Sequence, residues 1–223
     1  MTAQSAKTSR TSEFGYICRR CSLCCRHKQI QLNPYEVARL GRAKGQTTGE
    51  FRATWTLDGQ GTVLAQNEDG TCVFLGAQGC EVHADRPLTC RLYPLGRHIL
   101  ADSSEFFTTL DGHPQSRGEF NHRGTVADYL AAQGAQPFID AADAYFRWVC
   151  HAHEQLGLTT DEINTTPEAS AHSGLLDMDG IIAAHCAATG EAEPVKLDDR
   201  LRLHLRLLYD MIYTMEDGRD QEA

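Results

Sequence analysis

Four cysteines fall within eight residues, Cys18-Arg-Arg-Cys21-Ser-Leu-Cys24-Cys25, and three more follow at Cys72, Cys80 and Cys90. A two-residue gap lets a tight turn aim two sulfurs at one point, as a tetrahedral zinc or an iron–sulfur cluster requires. Structural zinc usually draws on two C-x2-C pairs. Only the first half of that pattern is present here, because seven and nine residues separate the later cysteines. A cubane 4Fe-4S cluster takes four thiolates, often three from a C-x2-C-x2-C run and one from far away. Cys18, Cys21 and Cys24 fit the run, with Cys72, Cys80 or Cys90 as the remote ligand. The bacterial ferredoxin run ends in Cys-Pro, so the match is imperfect. Iron–sulfur is the preferred reading and zinc the alternative.

Seven sulfurs exceed the needs of one tetrahedral centre. With His83 as an eighth donor they would fill two mononuclear sites, and seven sulfurs could also bridge a binuclear one. Vicinal Cys24 and Cys25 point apart on extended backbone and can serve opposite sides of a site. The plainer alternative is that one to three of these cysteines are buried small hydrophobes or a redox pair. Spacing leaves these possibilities open.

Charge supports the metal reading. The net charge of −9 conceals a basic surplus over residues 18–100, where eleven Lys or Arg face seven Asp or Glu. Arg19, Arg20, Arg26 and Lys28 lie among or beside the cysteine run, where they favour thiolate over thiol. A surplus this small gives no broad basic footprint, so nucleic acid is not expected as a partner. No stretch approaches 18 uninterrupted apolar residues, which argues against a membrane span. The first residues lack the apolar core of a secretory signal, and clustered reduced cysteines suit the cytoplasm. The expected partner is a metal ion or cluster, with a protein partner unknown.

The elements that must position these residues read as an α+β chain. A small cysteine-rich, metal-centred N-terminal half with short strands and helices is followed by a mainly α-helical C-terminal half. The expected divisions are a disordered polar tail over 1–13, a cysteine-cluster domain over 14–115 and a helical region over 116–223. Asn33, Pro34 and Glu36 spell the start of a helix that Gly41 or Gly45 would end. Asn67-Glu68-Asp69-Gly70 marks a hairpin turn, with Cys72 just beyond it. Leu201, Leu205, Leu208 and Ile212 recur at helical steps near the C-terminus, and the stretch over 159–174 reads as loop.

The pattern C-x2-C-x2-C-C, then C-x-F-L, then G-C-x-V-x-x-x-R-P-x-x-C-R-x-Y-P resembles the YkgJ-type cysteine-cluster proteins, the CxxCxxCC zinc- or iron-chelating family. It covers about residues 17–97, including Phe74-Leu75, Arg86-Pro87, Arg91 and Pro94. The resemblance implies metal or iron–sulfur binding by Cys18, Cys21, Cys24, Cys25, Cys72, Cys80 and Cys90, and brings no settled reaction. His83 departs from the aromatic residue expected at its position, as a neutral swap or an added ligand. Arg19, Arg20, Arg86 and Arg91 would surround the centre, although Arg86 and Arg91 could instead brace the Pro87 turn. A related cysteine run in flagellin lysine methylases opens a protein-methylating alternative. The chain shows neither a glycine-rich nucleotide loop nor a C-x3-C-x2-C radical signature to support it.

The remaining signals have plainer explanations. Cys150 and His151 diverge by about 100° on a helix, and His151 and His153 miss the i, i+4 spacing of a helical metal pair. Cys150 beside Trp148, and His185-Cys186, read as packing residues. Asp177, Asp179, Asp198 and Asp199 read as helix-start charges rather than acid–base machinery. His98, His113 and His122 lack spacing that selects a ligand role.

Overall fold

Asn33 and Glu36 form a reciprocal cap, each side chain meeting the other residue's backbone amide at 3.0 Å, with Pro34 in the first turn. This fixes the start of α1 (Pro34–Lys44), and Gly45, at φ 67°, ends it. Thr47 and Glu50 repeat the device for α2 (Thr48–Trp55). In the computed structural model, residues 6–57, 61–100, 102–111, 113, 115–156 and 174–220 are described. The expected loop over 159–173 lies outside them.

The fold is α+β. Among the described residues its strands form three two-stranded antiparallel pairs: β1 (Glu13–Ile17) with β6 (Glu119–Thr125), β2 (Leu75–Gly76) with β3 (Gly79–Cys80), and β4 (Leu95–Ile99) with β5 (Glu105–Thr109). The other helices are α3 (Leu88–Leu92), α4 (Val126–Ala132), α5 (Gln136–Leu156), α6 (Met178–Thr189) and α7 (Leu197–Asp220). No helix among the described residues is long and apolar enough to cross a membrane.

The chain divides into two compact units that are discontinuous in sequence, residues 1–30 with 66–139 and residues 31–65 with 140–223. Residues 31–65 group with the C-terminal helices because α1 and α2 bury their apolar faces against α6 and α7.

All seven clustered cysteines belong to the first unit. Its core gathers Phe14, Leu92, Leu95, Phe107, Val126, Leu130 and Ile139 around the strand pairs, with Phe14 edge-on to Tyr129. The expected tail over 1–13 is partly structured. Thr8 exchanges backbone hydrogen bonds of 2.9 and 2.8 Å with Phe107, because β5 offers an edge whose amides and carbonyls need partners.

In the second unit, Tyr35, Leu40, Phe51, Met178, Ile182, Leu208 and Ile212 are fully buried. On α7, Leu208 and Ile212 lie in the core as the periodicity expects, whereas Leu201 and Leu205 are only half-buried. His204, unremarked in the sequence, takes a central place. Its Nδ1 accepts from the Tyr145 hydroxyl at 2.8 Å, and its Nε2–H donates to the Leu175 carbonyl at 3.0 Å. Asp177 caps α6 by accepting from the Gly180 amide, and it also receives the Thr48 hydroxyl. Asp179 accepts from the Thr48 amide at 2.9 Å and from Arg200 at 2.7 Å.

Candidate metal centre

The four-cysteine run leaves β1 and folds back on itself. Arg20, Ser22 and His27 all adopt left-handed backbone conformations, with φ of 50°, 61° and 51°. Such conformations are uncommon for residues other than glycine and reverse the chain locally. Between them, Leu23–Cys25 form a single 3-10 turn closed by the Cys25 amide on the Ser22 carbonyl at 3.1 Å.

The second cysteine-bearing segment is laid directly against this run. The Cys72 amide donates to the Cys25 carbonyl at 2.9 Å, the His27 amide donates to the Gly70 carbonyl at 2.7 Å, and Arg26 pairs with Thr71. The expected turn makes this possible: Gly70, at φ 75°, donates to the Asn67 carbonyl, and Gln66 bridges to Cys72. Cys80 then sits on β3 opposite Leu75, in a hairpin anchored by buried Phe74. Cys90 lies exposed on α3.

Electrostatics show the convergence of the two segments. The Cys25 thiol donates to the Cys24 sulfur, which, with help from Lys28 and against the effect of burial, brings Cys24 down to about 7. Cys25 is pushed up, first by holding that hydrogen bond, then by burial and by the nearby charges of Cys24, Cys90 and Cys72. Burial raises Cys72, and Cys80 and Cys24 raise it further. Burial also raises Cys80, where Arg86 opposes the rise and Cys24 adds to it. Cys21 is lowered by the Arg117 and Leu23 backbone amides and lies 3.9 Å from the Ser116 hydroxyl. Cys18 is exposed and accepts from the Arg20 amide at 3.4 Å.

Thus Cys21, Cys25, Cys72 and Cys80 each feel the charge of Cys24, and Cys25 also that of Cys90. Among the described residues, no group of three or more His, Cys, Asp or Glu side chains is arranged to hold a metal ion. The sulfurs share a region rather than a coordination sphere, and thiols must lose their protons before they ligate. Their chemistry nonetheless fits a soft metal: thiolate donors beside cationic side chains suit zinc or iron.

The arginines divide their work. Arg19 pairs with Glu119 at 2.9 Å. Arg86 donates to the Gln133 side chain at 2.8 Å and to the His83 carbonyl at 2.6 Å. Buried Arg91 donates to the Gln133 and Ala84 carbonyls and lies 4.0 Å over the Phe138 ring. Arg86 and Arg91 therefore brace the Pro87 turn, and Arg86 also acts on Cys80. His83 is exposed, with Nδ1 3.4 Å from Arg86. Cys150 and buried Cys186 belong to the other unit.

Sequence reasoning did not single out Ser116, Tyr93 or Tyr129 as neighbours of the cysteines. Tyr93 lies within the C-R-x-Y-P motif, which was its only signal. Ser116 lies in an unpatterned connection and had none.

A cysteine-rich domain with soft donors drawn from two chain segments defines a metal-chelating class. Residues 17–112 match the family model CxxCxxCC, described as a putative zinc- or iron-chelating domain. The match agrees with the resemblance carried by the cysteine spacing, and it leaves the C-terminal helices outside. No curated protein and no solved structure matched the chain.

Proposed function

We propose that the first unit holds an iron–sulfur cluster, or alternatively zinc, through Cys18, Cys21, Cys24, Cys25, Cys72, Cys80 and Cys90, in a redox or sensor role. The observation that carries this reading is the Cys72–Cys25 backbone hydrogen bond, which lays the two cysteine-bearing segments side by side. Cys24, Cys25, Cys72 and Cys80 form the inner set; they and Cys21 are half-buried, while Cys18 and Cys90 are exposed. When bound, a cluster supplies one-electron chemistry and a zinc supplies a rigid crosslink between the two segments. The protein supplies positive charge at Lys28 and Arg86 that favours ionised sulfur.

Anaerobic purification followed by iron, zinc and sulfide analysis and a visible spectrum tests the reading. Stoichiometric iron and sulfide with a broad visible charge-transfer band supports the cluster, whereas colourless protein with one or two equivalents of zinc supports the alternative. Protein that takes up neither metal refutes both.

A further inference from the structure

The residues that follow the cysteine run line a cavity. Leu23, Cys24, Arg26, Lys28, Tyr93 and Asp111 are among those that enclose about 280 Å3. This lies at the small end of the roughly 300–1,000 Å3 usual for small-molecule sites. We propose that this cavity binds a small organic molecule bearing a carboxylate or phosphate group, gripped by Arg26 and Lys28 with its body against Tyr93 and Leu23.

The lining selects an anion. Arg26 and Lys28 bring two basic side chains to the lining, and Asp111 is the one carboxylate among its described residues. Charge-assisted hydrogen bonds from guanidinium and ammonium groups to an oxyanion are about twice as strong as neutral ones. The cavity is too small for a nucleic acid strand.

The grip is also preorganised, which reduces the entropy lost on binding. The backbone over 26–28 is held on three successive residues. Arg26 pairs with Thr71, His27 donates to the Gly70 carbonyl at 2.7 Å, and the Lys28 carbonyl accepts from the Gln66 side chain at 2.5 Å. Asp69 lies 3.9 Å from the Arg26 guanidinium and biases its direction. On the other wall, the Tyr93 ring packs edge-on to Tyr16, with 6.2 Å between ring centroids.

The cavity shares Cys24 with the proposed metal centre. That the bound molecule meets the centre rests on the metal reading; the oxyanion site itself does not. A simpler role for Arg26 and Lys28 is to offset thiolate charge, and the experiment separates the two.

The full chain, with its metal content measured first, is titrated calorimetrically with inorganic phosphate and, separately, with acetate. The expected result is one saturable site for at least one of them, and the anion preferred identifies the group recognised. Arg26→Gln and Lys28→Gln are each expected to weaken that site by about tenfold, the equivalent of one lost charge-assisted contact. Circular dichroism should stay as in the wild type, so that weaker binding does not reflect a lost fold. Asp111→Asn, which removes the opposing negative charge, is expected to tighten the site severalfold.

Absence of saturable binding by either anion overturns the proposal. So does equal affinity in the wild type and all three variants. Loss of metal from the Lys28 variant with anion affinity intact also overturns it and leaves these cations the charge-offsetting role. Wild-type protein without metal refutes the metal reading alone, because the anion titration is read on that protein in the same way.

Discussion

The Cys72 amide donates to the Cys25 carbonyl at 2.9 Å, joining backbone that lies 47 residues apart in sequence. This bond sets the register between the two cysteine-bearing segments. A slip of one residue would turn the sulfurs of one segment to the opposite face, because side chains alternate along paired extended backbone.

Replacing cysteines should therefore sort them by place. Cys24→Ser and Cys72→Ser are expected to abolish stoichiometric metal binding, since each removes a donor from the inner set. Cys150→Ser and Cys186→Ser should retain full metal, because both residues belong to the other unit. Metal-to-protein ratios of the purified variants check this, and full metal in Cys24→Ser would contradict the assignment.

Gly70 is the hinge of the turn that delivers Cys72. At φ 75° a side chain is disfavoured, and an added Cβ would lie 2.2 Å from the His27 ring. Gly70→Ala is expected to cost about 1–2 kcal/mol through the left-handed backbone alone, with further loss from displacing His27. The measurable outcome is a lower unfolding midpoint together with reduced metal retention.

Arg91 ties α3 to the turn after α4 by donating to the Gln133 and Ala84 carbonyls while stacking on Phe138. Arg91→Ala leaves those partly buried carbonyls without their charged donor and should destabilise the first unit by about 1–3 kcal/mol. Arg91→Lys should recover little, because an ammonium cannot span both carbonyls and lie flat on the ring. Urea unfolding of the three proteins decides.

Acid should weaken the second unit through His204. Burial lowers its imidazole to about 4, although the Leu175 carbonyl, Asp177 and Asp179 pull it upward, and Tyr145 donates to its free nitrogen. The unfolded chain, with an ordinary value near 6.5, binds the proton first as pH falls. Stability is therefore full above about pH 6.5 and declines toward pH 4, by on the order of 3 kcal/mol. Unfolding midpoints across that range should show the slope in the wild type, and His204→Gln should flatten it. An unchanged slope in that variant would show that another group titrates there.

Much of the local structure was legible because its determinants are neighbours in sequence. Asn33, Pro34 and Glu36 specify the start of α1 within four residues, and Asn67 to Gly70 specify a turn. The cysteine spacing pointed to metal chelation for the same reason, since a C-x2-C gap already brings two sulfurs close. The grouping of residues 31–65 with the C-terminal helices was not legible. It depends on which apolar faces bury each other, and α1 and α2 carry faces that would suit any complementary helix. His204 was overlooked because a histidine among leucines carries no spacing signal. Its place in the core depends on the Tyr145 hydroxyl and the Leu175 carbonyl, 59 and 29 residues away.

The sequence by itself determined the donor chemistry of this protein: seven thiols, basic residues between them, and turns able to bring near neighbours together. Only the tertiary structure decided that the Cys72 backbone pairs with that of Cys25, and that Arg26 and Lys28 line a cavity with Cys24. The reason is physical. Short-range conformational preferences act over a few residues, whereas the approach of Cys72 to Cys25 requires a long loop to close, at an entropic cost that only packing and backbone pairing elsewhere in the unit can offset.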